Sequence, residues 1–305
     1  MKTNTVTNMQ APEQAPDSLI KQVGFTLIEL SIVLVIIGLI VGGVLVGQDL
    51  IKAAEIRATI GQYEKYNSAM NTFRTKYNGM PGDLSSAQAT AFGIYSTAAT
   101  TTGLGDGNSL ITDTAASNLN APVGETLIIW RHLSDASLID GSYGTGLTAS
   151  TAQMAASPTA ALYLPAAKMG RGNYWMAGSS AGQNYYALAA VTGMTTGAAA
   201  TATYATSVGG GLTPIEAYNI DIKLDDGMPN TGIIQARGYA TMGAAADTIF
   251  PVLSTTSKAV WTSASAPVAG DCMTTGAAAT DTANTYARGT TPGGTPACTL
   301  RMRFN

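Results

Sequence analysis

Residues 25–46 form an unbroken apolar run, FTLIELSIVLVIIGLIVGGVLV, holding a single charge, Glu29. As a helix it is long enough to cross the hydrocarbon core of a bilayer, which takes about 20 residues. A carboxylate inside such a segment costs roughly 2.5 kcal/mol or more on insertion scales. A plain anchor would not carry it. A secretory signal fits poorly too, because its apolar core is about 7–15 residues long and closes on a small-residue cleavage site. Here the stretch from Gly43 to Gly47 leads straight into another helical pattern. Two readings of Glu29 stand side by side. Either it snorkels at the helix end, or it needs a positive partner inside the membrane. A newly freed amino group at Phe25, on the same chain or a neighbour, would be such a partner. A buried pair of that kind is better evidence for register than for stability.

The segment Gly24-Phe25-Thr26-Leu27-Ile28-Glu29 resembles the processing site of type IV prepilins and type II secretion pseudopilins. The resemblance implies that a prepilin peptidase cuts after Gly24 and that Phe25 becomes the methylated N-terminus. It makes Glu29 the partner of an amino terminus during assembly. Gly38 falls on the family's helix-loosening glycine, whereas Val46 stands where a helix-bending proline is frequent. Gly42, Gly43 and Gly47 supply flexibility instead, since glycine weakens a helix by about 1 kcal/mol relative to alanine. The leader, residues 1–24, is polar, contains Pro12 and Pro16, and is long for the commonest branch. Lys2 and Lys21 precede the run while Lys52, Arg57 and Lys65 follow it, so positive charge does not set the orientation. The resemblance places the leader in the cytoplasm. It further implies a single pass of the bacterial inner membrane before assembly and a periplasmic or extracellular filament afterwards. The implied partners are pilin-like subunits and an inner-membrane assembly platform.

Helical periodicity continues through residues 47–78. Ile56, Ile60, Tyr63, Tyr66, Met70, Phe73 and Tyr77 recur at spacings of three and four, the stripe of an amphipathic helix. This stripe reads as core. Asn78-Gly79 and then Pro81 form a stop signal. One helix from Phe25 to Tyr77 would be about 80 Å long at 1.5 Å per residue. Residues 79–305 are expected to form a globular domain. Residues 85–121, rich in Ala, Thr, Ser and Gly, read as a long loop. Glu125 to Leu138 reads as a short helix with Trp130 and Leu133 facing the core. Asn173–Met176 and Asn184–Thr192 read as a hairpin joined through Gly178–Gln183. Thr213-Pro214-Ile215-Glu216 has the form of a helix start, with a cap, a first-turn proline and a capping-box glutamate. That helix should run to about Leu224, and residues 232–239 read as a further strand. The expected class is α+β, a long N-terminal helical stem packed on a small antiparallel sheet. Three further segments, Tyr77–Asp83, Gly105–Asn108 and Trp130–Gly141, look like a recurring subgroup of bacterial pilin-like proteins; that likeness implies no activity.

Charged residues make up 11% of the chain, with a net charge of -3 and a pI near 5.1. A nucleic-acid binder would need a basic face, so no nucleic acid is expected. Cys272 and Cys298 are the two cysteines. A single pair near one terminus suits one disulfide in an oxidising compartment better than a metal site. Such a bridge would contribute roughly 3–4 kcal/mol in the chain-entropy model. His132, the one histidine, has no ligand-like neighbour in sequence and reads as structural or surface. No cofactor is required. Calcium is a candidate at Asp225-Asp226 near Asn230, and at Asp106 with Asn108 and Asp113. Pseudopilins often carry such an ion in a late loop. Neither segment has the ligand set of an EF-hand, and plain Asx turns ahead of glycine are the simpler reading. No Ser/His/Asp, Cys/His, phosphate-loop or metal-triad pattern speaks for an enzyme. The leading expectation is a structural filament subunit, pilin or pseudopilin. The competing one is a membrane-tethered periplasmic binding or adhesive protein that never polymerises.

Overall fold

The computed structural model describes residues 26–95, 105–111, 124–145, 147, 159–180, 182–191, 208–238, 272, 285–288, 296 and 298–304. The chain divides into two compact units, Met1–Leu50 and Ile51–Asn305. The helix α1, Leu27–Tyr77, contributes to both. Gly38, Gly42, Gly43 and Gly47 all lie within it as helical residues. It ends at Asn78, which takes a left-handed φ of 52° and donates its N–H to Arg74 O. Asparagine tolerates that conformation better than other non-glycine residues.

In the larger unit α1 buries the stripe read from the sequence: Ile56, Tyr63, Tyr66, Met70, Phe73 and Tyr77 are all buried, with Ile60 partly so. They meet an antiparallel sheet with strand order β1 (Asn173–Ser180), β2 (Gln183–Val191), β5 (Cys298–Phe304), β4 (Ile234–Gly238), while β3 (Val208–Gly209) pairs with β2. Register puts Trp175 opposite Leu188, Tyr186 opposite Met302, and Leu300 opposite Ala236. These residues share the face that meets α1. Tyr66 stands edge-on to Trp175 at 5.7 Å and to Trp130 at 5.2 Å, and Tyr63 edge-on to Tyr186 at 6.1 Å. Tyr186 stacks on Phe304 at 4.1 Å. Aromatic pairs of this kind contribute about 0.5–1.5 kcal/mol each beyond their buried area.

Polar pins fix the helix register against this core. Gln62 Oε1 accepts from Lys168 N (2.7 Å) and Trp175 Nε1 (3.2 Å), and its Nε2 donates to Ala166 O (3.0 Å). Tyr63 OH donates to Arg303 O at 2.9 Å. Gln62 thus behaves as a peptide group supplied by a side chain.

Among the described residues three further α-helices follow, α2 (Ser86–Ala91), α3 (Glu125–Asp135) and α4 (Pro214–Leu224), with a short 3-10 turn at Ala160–Leu162. The start of α4 is the capping box expected from sequence, with Thr213 and Glu216 exchanging hydrogen bonds. Four differences from the sequence reading stand out. Helix α2 interrupts the segment read as loop, and it opens on a second capping box, Ser85 with Gln88. Helix α3 stops at Asp135 rather than Leu138. Ser137 at φ 56° lets Leu138 N reach Leu133 O and Ser137 N reach Ser134 O, a Schellman closure. The hairpin strands extend through Gly178–Ser180 to a tight turn at Gly182. The strand near residue 232 begins at Ile234. Cys272 and Cys298 form a disulfide, with Cα atoms 5.0 Å apart. Both are buried, and Cys298 opens β5 while exchanging backbone hydrogen bonds with Leu212.

Two outcomes are expected for the full chain in detergent. Replacing both cysteines by serine should lower the unfolding free energy by roughly 3–4 kcal/mol. Phe73→Ala should lower it by about 3–5 kcal/mol. Denaturant titration followed by tryptophan fluorescence measures both.

Candidate functional site

In the smaller unit every leucine, isoleucine and valine from Leu27 to Leu50 is at least half exposed. The apolar surface runs all round the helix, which water does not tolerate and lipid or sister helices do. Among the described residues α1 is the helix long and apolar enough to cross a membrane. Gly24 and Phe25 lie outside the described residues.

Glu29 begins this helix in a specific geometry. Its Oε2 accepts from Thr26 N at 2.8 Å and from Thr26 Oγ1 at 2.8 Å, while Glu29 N donates to Thr26 Oγ1 at 3.3 Å. Leu30 N bonds Thr26 O at 3.2 Å. Thr26 is therefore an N-cap and Glu29 its reciprocal partner three residues on, a capping box. The sequence carries the Thr-x-x-Glu signal here as plainly as at Thr213. Ser31 returns its hydroxyl to Ile28 O at 2.9 Å, so its polarity is spent on its own helix.

The three segments that resembled a pilin-like subgroup converge in the larger unit. His132 is buried, accepts Gly82 N at Nδ1 (3.0 Å), and faces Tyr95 O through Nε2 (2.8 Å). The first bond places the ring proton on Nε2. The ring stacks on Phe73. Burial lowers the His132 pKa to about 4. Gly82 has φ +96°, and a Cβ there would sit 2.9 Å from Glu125 O, so the loop after α1 presses directly on the first turn of α3. His132 is structural, one of the two readings open from sequence.

The calcium candidates are engaged in hydrogen bonds. Asp106 accepts Asn108 N (3.0 Å) and Asn108 Nδ2 (2.7 Å), and Asn108 Oδ1 accepts Leu110 N. Asp226 accepts Met228 N and the Thr231 hydroxyl, and Asp225 accepts Ile233 N and Ile234 N. Buried Asp221, which the sequence did not single out, accepts Gly227 N and the Tyr286 hydroxyl. Oxygens of Asp221, Asp225 and Asp226 lie within 4.8 Å of one another. Burial chiefly, with Asp226 and Asp225 adding charge, raises Asp221 to about 7. A calcium ion takes six to eight oxygens. These oxygens accept N–H and O–H donors, the pattern of Asx and acid turns. Asp113 lies outside the described residues.

Residues 21–45 match the family model described as the prokaryotic N-terminal methylation motif, the signature of type IV pilin-like and pseudopilin-like prepilins. Searches of curated proteins and of solved structures each returned no match.

Two measurements follow from these geometries. Thr26→Ala should cost the first helical turn about 1 kcal/mol, read as faster amide exchange at Glu29 and Leu30 in detergent. For His132 the folded-state pKa lies below the unfolded value of 6.5. Its contribution is complete above that value and is lost as pH falls toward 4. The stability difference between wild type and His132→Gln should therefore grow from pH 4 to 6.5 and then level off.

Proposed function

We propose that this chain is a structural subunit, pilin or pseudopilin, of a type IV pilus-like or type II secretion filament. A prepilin peptidase removes residues 1–24, and Phe25 becomes the methylated terminus. The subunit then waits in the membrane as a single-pass protein and is drawn into the filament through α1. The observation that carries the reading is the coincidence of three things on one segment: the methylation motif at 21–45, an apolar helix exposed on every side, and the single acid Glu29 at its start.

The mechanism is differential pairing. In the unassembled subunit Glu29 is satisfied by Thr26. In the filament an α-amino group of Phe25 takes that carboxylate as its counter-ion, and the pairing fixes the axial register of one subunit against the next. Two unit charges about 4 Å apart gain about 4 kcal/mol at an effective dielectric of 20. The cap it replaces is worth about 1 kcal/mol net, and desolvation of both ions offsets part of the Coulomb gain, so an arriving amine competes with the intrachain donors.

The test is N-terminal mass spectrometry of the protein from its native host, together with the Glu29→Val variant. A mature chain beginning at methylated Phe25 is expected. Glu29→Val should stay membrane-inserted yet be lost from sheared or secreted filaments. A chain that retains residues 1–24 in the native host would instead favour a tethered binding protein that never polymerises.

A further inference from the structure

The sheet has a second face, turned away from α1. Along β5 the apolar Leu300, Met302 and Phe304 are buried in the core, so Arg301 and Arg303 lie on the opposite face, as strand alternation requires. Register places Arg301 opposite Gln235 on β4 and Ala187 on β2, and Arg303 opposite Tyr185 on β2. Two cations thus stand about 7 Å apart along one strand. Both are half-buried.

These cations lack a counter-ion. Among the described residues neither Arg301 nor Arg303 takes part in a salt bridge. Asp225, ahead of β4, has its carboxylate committed to Ile233 N and Ile234 N. Arg301 Nε donates to Gln235 Oε1 at 2.7 Å, and Nη2 donates to the same oxygen. The guanidinium lies over the Tyr185 ring, 4.8 Å from its centroid. A guanidinium carries five N–H donors, and this one amide oxygen accepts from Nε and Nη2 alone. The end formed by Nη1 and Nη2 keeps an N–H on each nitrogen. Because Oε1 faces the arginine, Gln235 Nε2 is a further donor without an acceptor among the described residues. Burial depresses the Arg301 pKa, and the opposing influence is Tyr185 rather than a carboxylate. The charge has lost water and gained no acid in its place.

We propose that this face of the sheet is a carboxylate-binding site. Arg301 takes the two oxygens on its Nη1–Nη2 end, Gln235 Nε2 adds a donor, and Arg303 supplies the second positive charge. The Tyr185 ring sets the plane of the guanidinium, so the open end presents two coplanar N–H groups, the fork that a carboxylate fills. A phosphate would fill the same fork and leave its remaining oxygens to be desolvated against a floor that includes buried Ala187. The carboxylate is either a free one or an acidic side chain of a neighbouring copy, which exposes Asp106, Asp140 and Asp226. The site is built wholly within the larger unit and does not rest on the filament reading.

The test is thermal unfolding of the full chain in detergent, with sodium acetate replacing sodium chloride at constant ionic strength. The midpoint should rise with acetate and follow a binding isotherm, as for a ligand that binds the native state alone. Arg301→Lys keeps the charge but not the paired donors, and should abolish the rise. Arg303→Gln removes one partly hydrated charge and should weaken the apparent affinity about threefold. An equal rise in Arg301→Lys, or a rise with inorganic phosphate and none with acetate, overturns the proposal. Should Arg301→Lys fail to fold, NMR of the wild type decides. The Arg301 Nε–H and Gln235 side-chain amide signals should shift saturably with acetate, and signals that stay still refute the site. Sedimentation separates the two sources. Self-association that acetate reverses and Arg301→Lys lacks puts the carboxylate on a neighbouring copy, whereas a chain that binds acetate and stays monomeric takes a free one.

Discussion

The structure depends first on how one carboxylate is satisfied in an apolar run, residues 25–46, that has no other charge. Glu29 sits at the start of a segment whose apolar residues are exposed on every side. No water is available to such a group in a bilayer, and leaving it bare is expensive. Thr26 provides the local solution: two donors on one carboxylate oxygen, in a geometry that also caps the helix. A capping box can be given up when a better donor arrives, because it costs only the helix end. A carboxylate locked into a tertiary salt bridge could not be released so cheaply. On the proposed reading, the same residue makes the subunit tolerable to the membrane before assembly and reactive to a neighbour's amine during it.

How much of this was legible varies with the kind of signal. The stem helix, its buried stripe and its stop could be read because period 3.6 is strong over many turns, and Asn78 supplies the terminating conformation. Thr213 to Glu216 was legible because proline, cap and glutamate coincide. Thr26 carries the same Thr-x-x-Glu pattern, but inside an apolar run the glutamate reads first as an isolated charge. Ser85 with Gln88 was lost in a stretch of small residues whose composition resembles loop. Strand β5 alternates Leu300, Met302 and Phe304 inward with Arg301 and Arg303 at the other face. Its opening cysteine pointed to loop closure, and the alternation went unread. The extension of β1 through Gly178–Ser180 had no side-chain signal; it follows from pairing with Tyr185, Asn184 and Gln183.

The convergence of distant segments lay beyond sequence reasoning altogether. Tyr77–Asp83, Gly105–Asn108 and Trp130–Gly141 stood out as separate patches. Only the fold shows why Gly82, Gly105 and His132 belong together: two glycines without Cβ atoms let loops press on the backbone, and a neutral imidazole bridges what remains. The spacing between these patches carries no periodicity, so no single-chain pattern predicts the contact.

A chain with 11% charged residues has few ion pairs to spend. The described residues contain three salt bridges, of which Lys65–Asp140 is largely exposed. Its acids do other work. Asp83, Glu125, Asp135, Asp221, Asp225 and Asp226 all accept backbone N–H groups from loops. Surface ion pairs weaken with salt over a Debye length of about 8–10 Å. A carboxylate bonded to buried amides is shielded from salt and answers to protons instead. In this domain the loops are held by acid-to-amide bonds, and Asp221, buried beside Asp225 and Asp226, is the acid that burial and neighbouring charge raise to about 7.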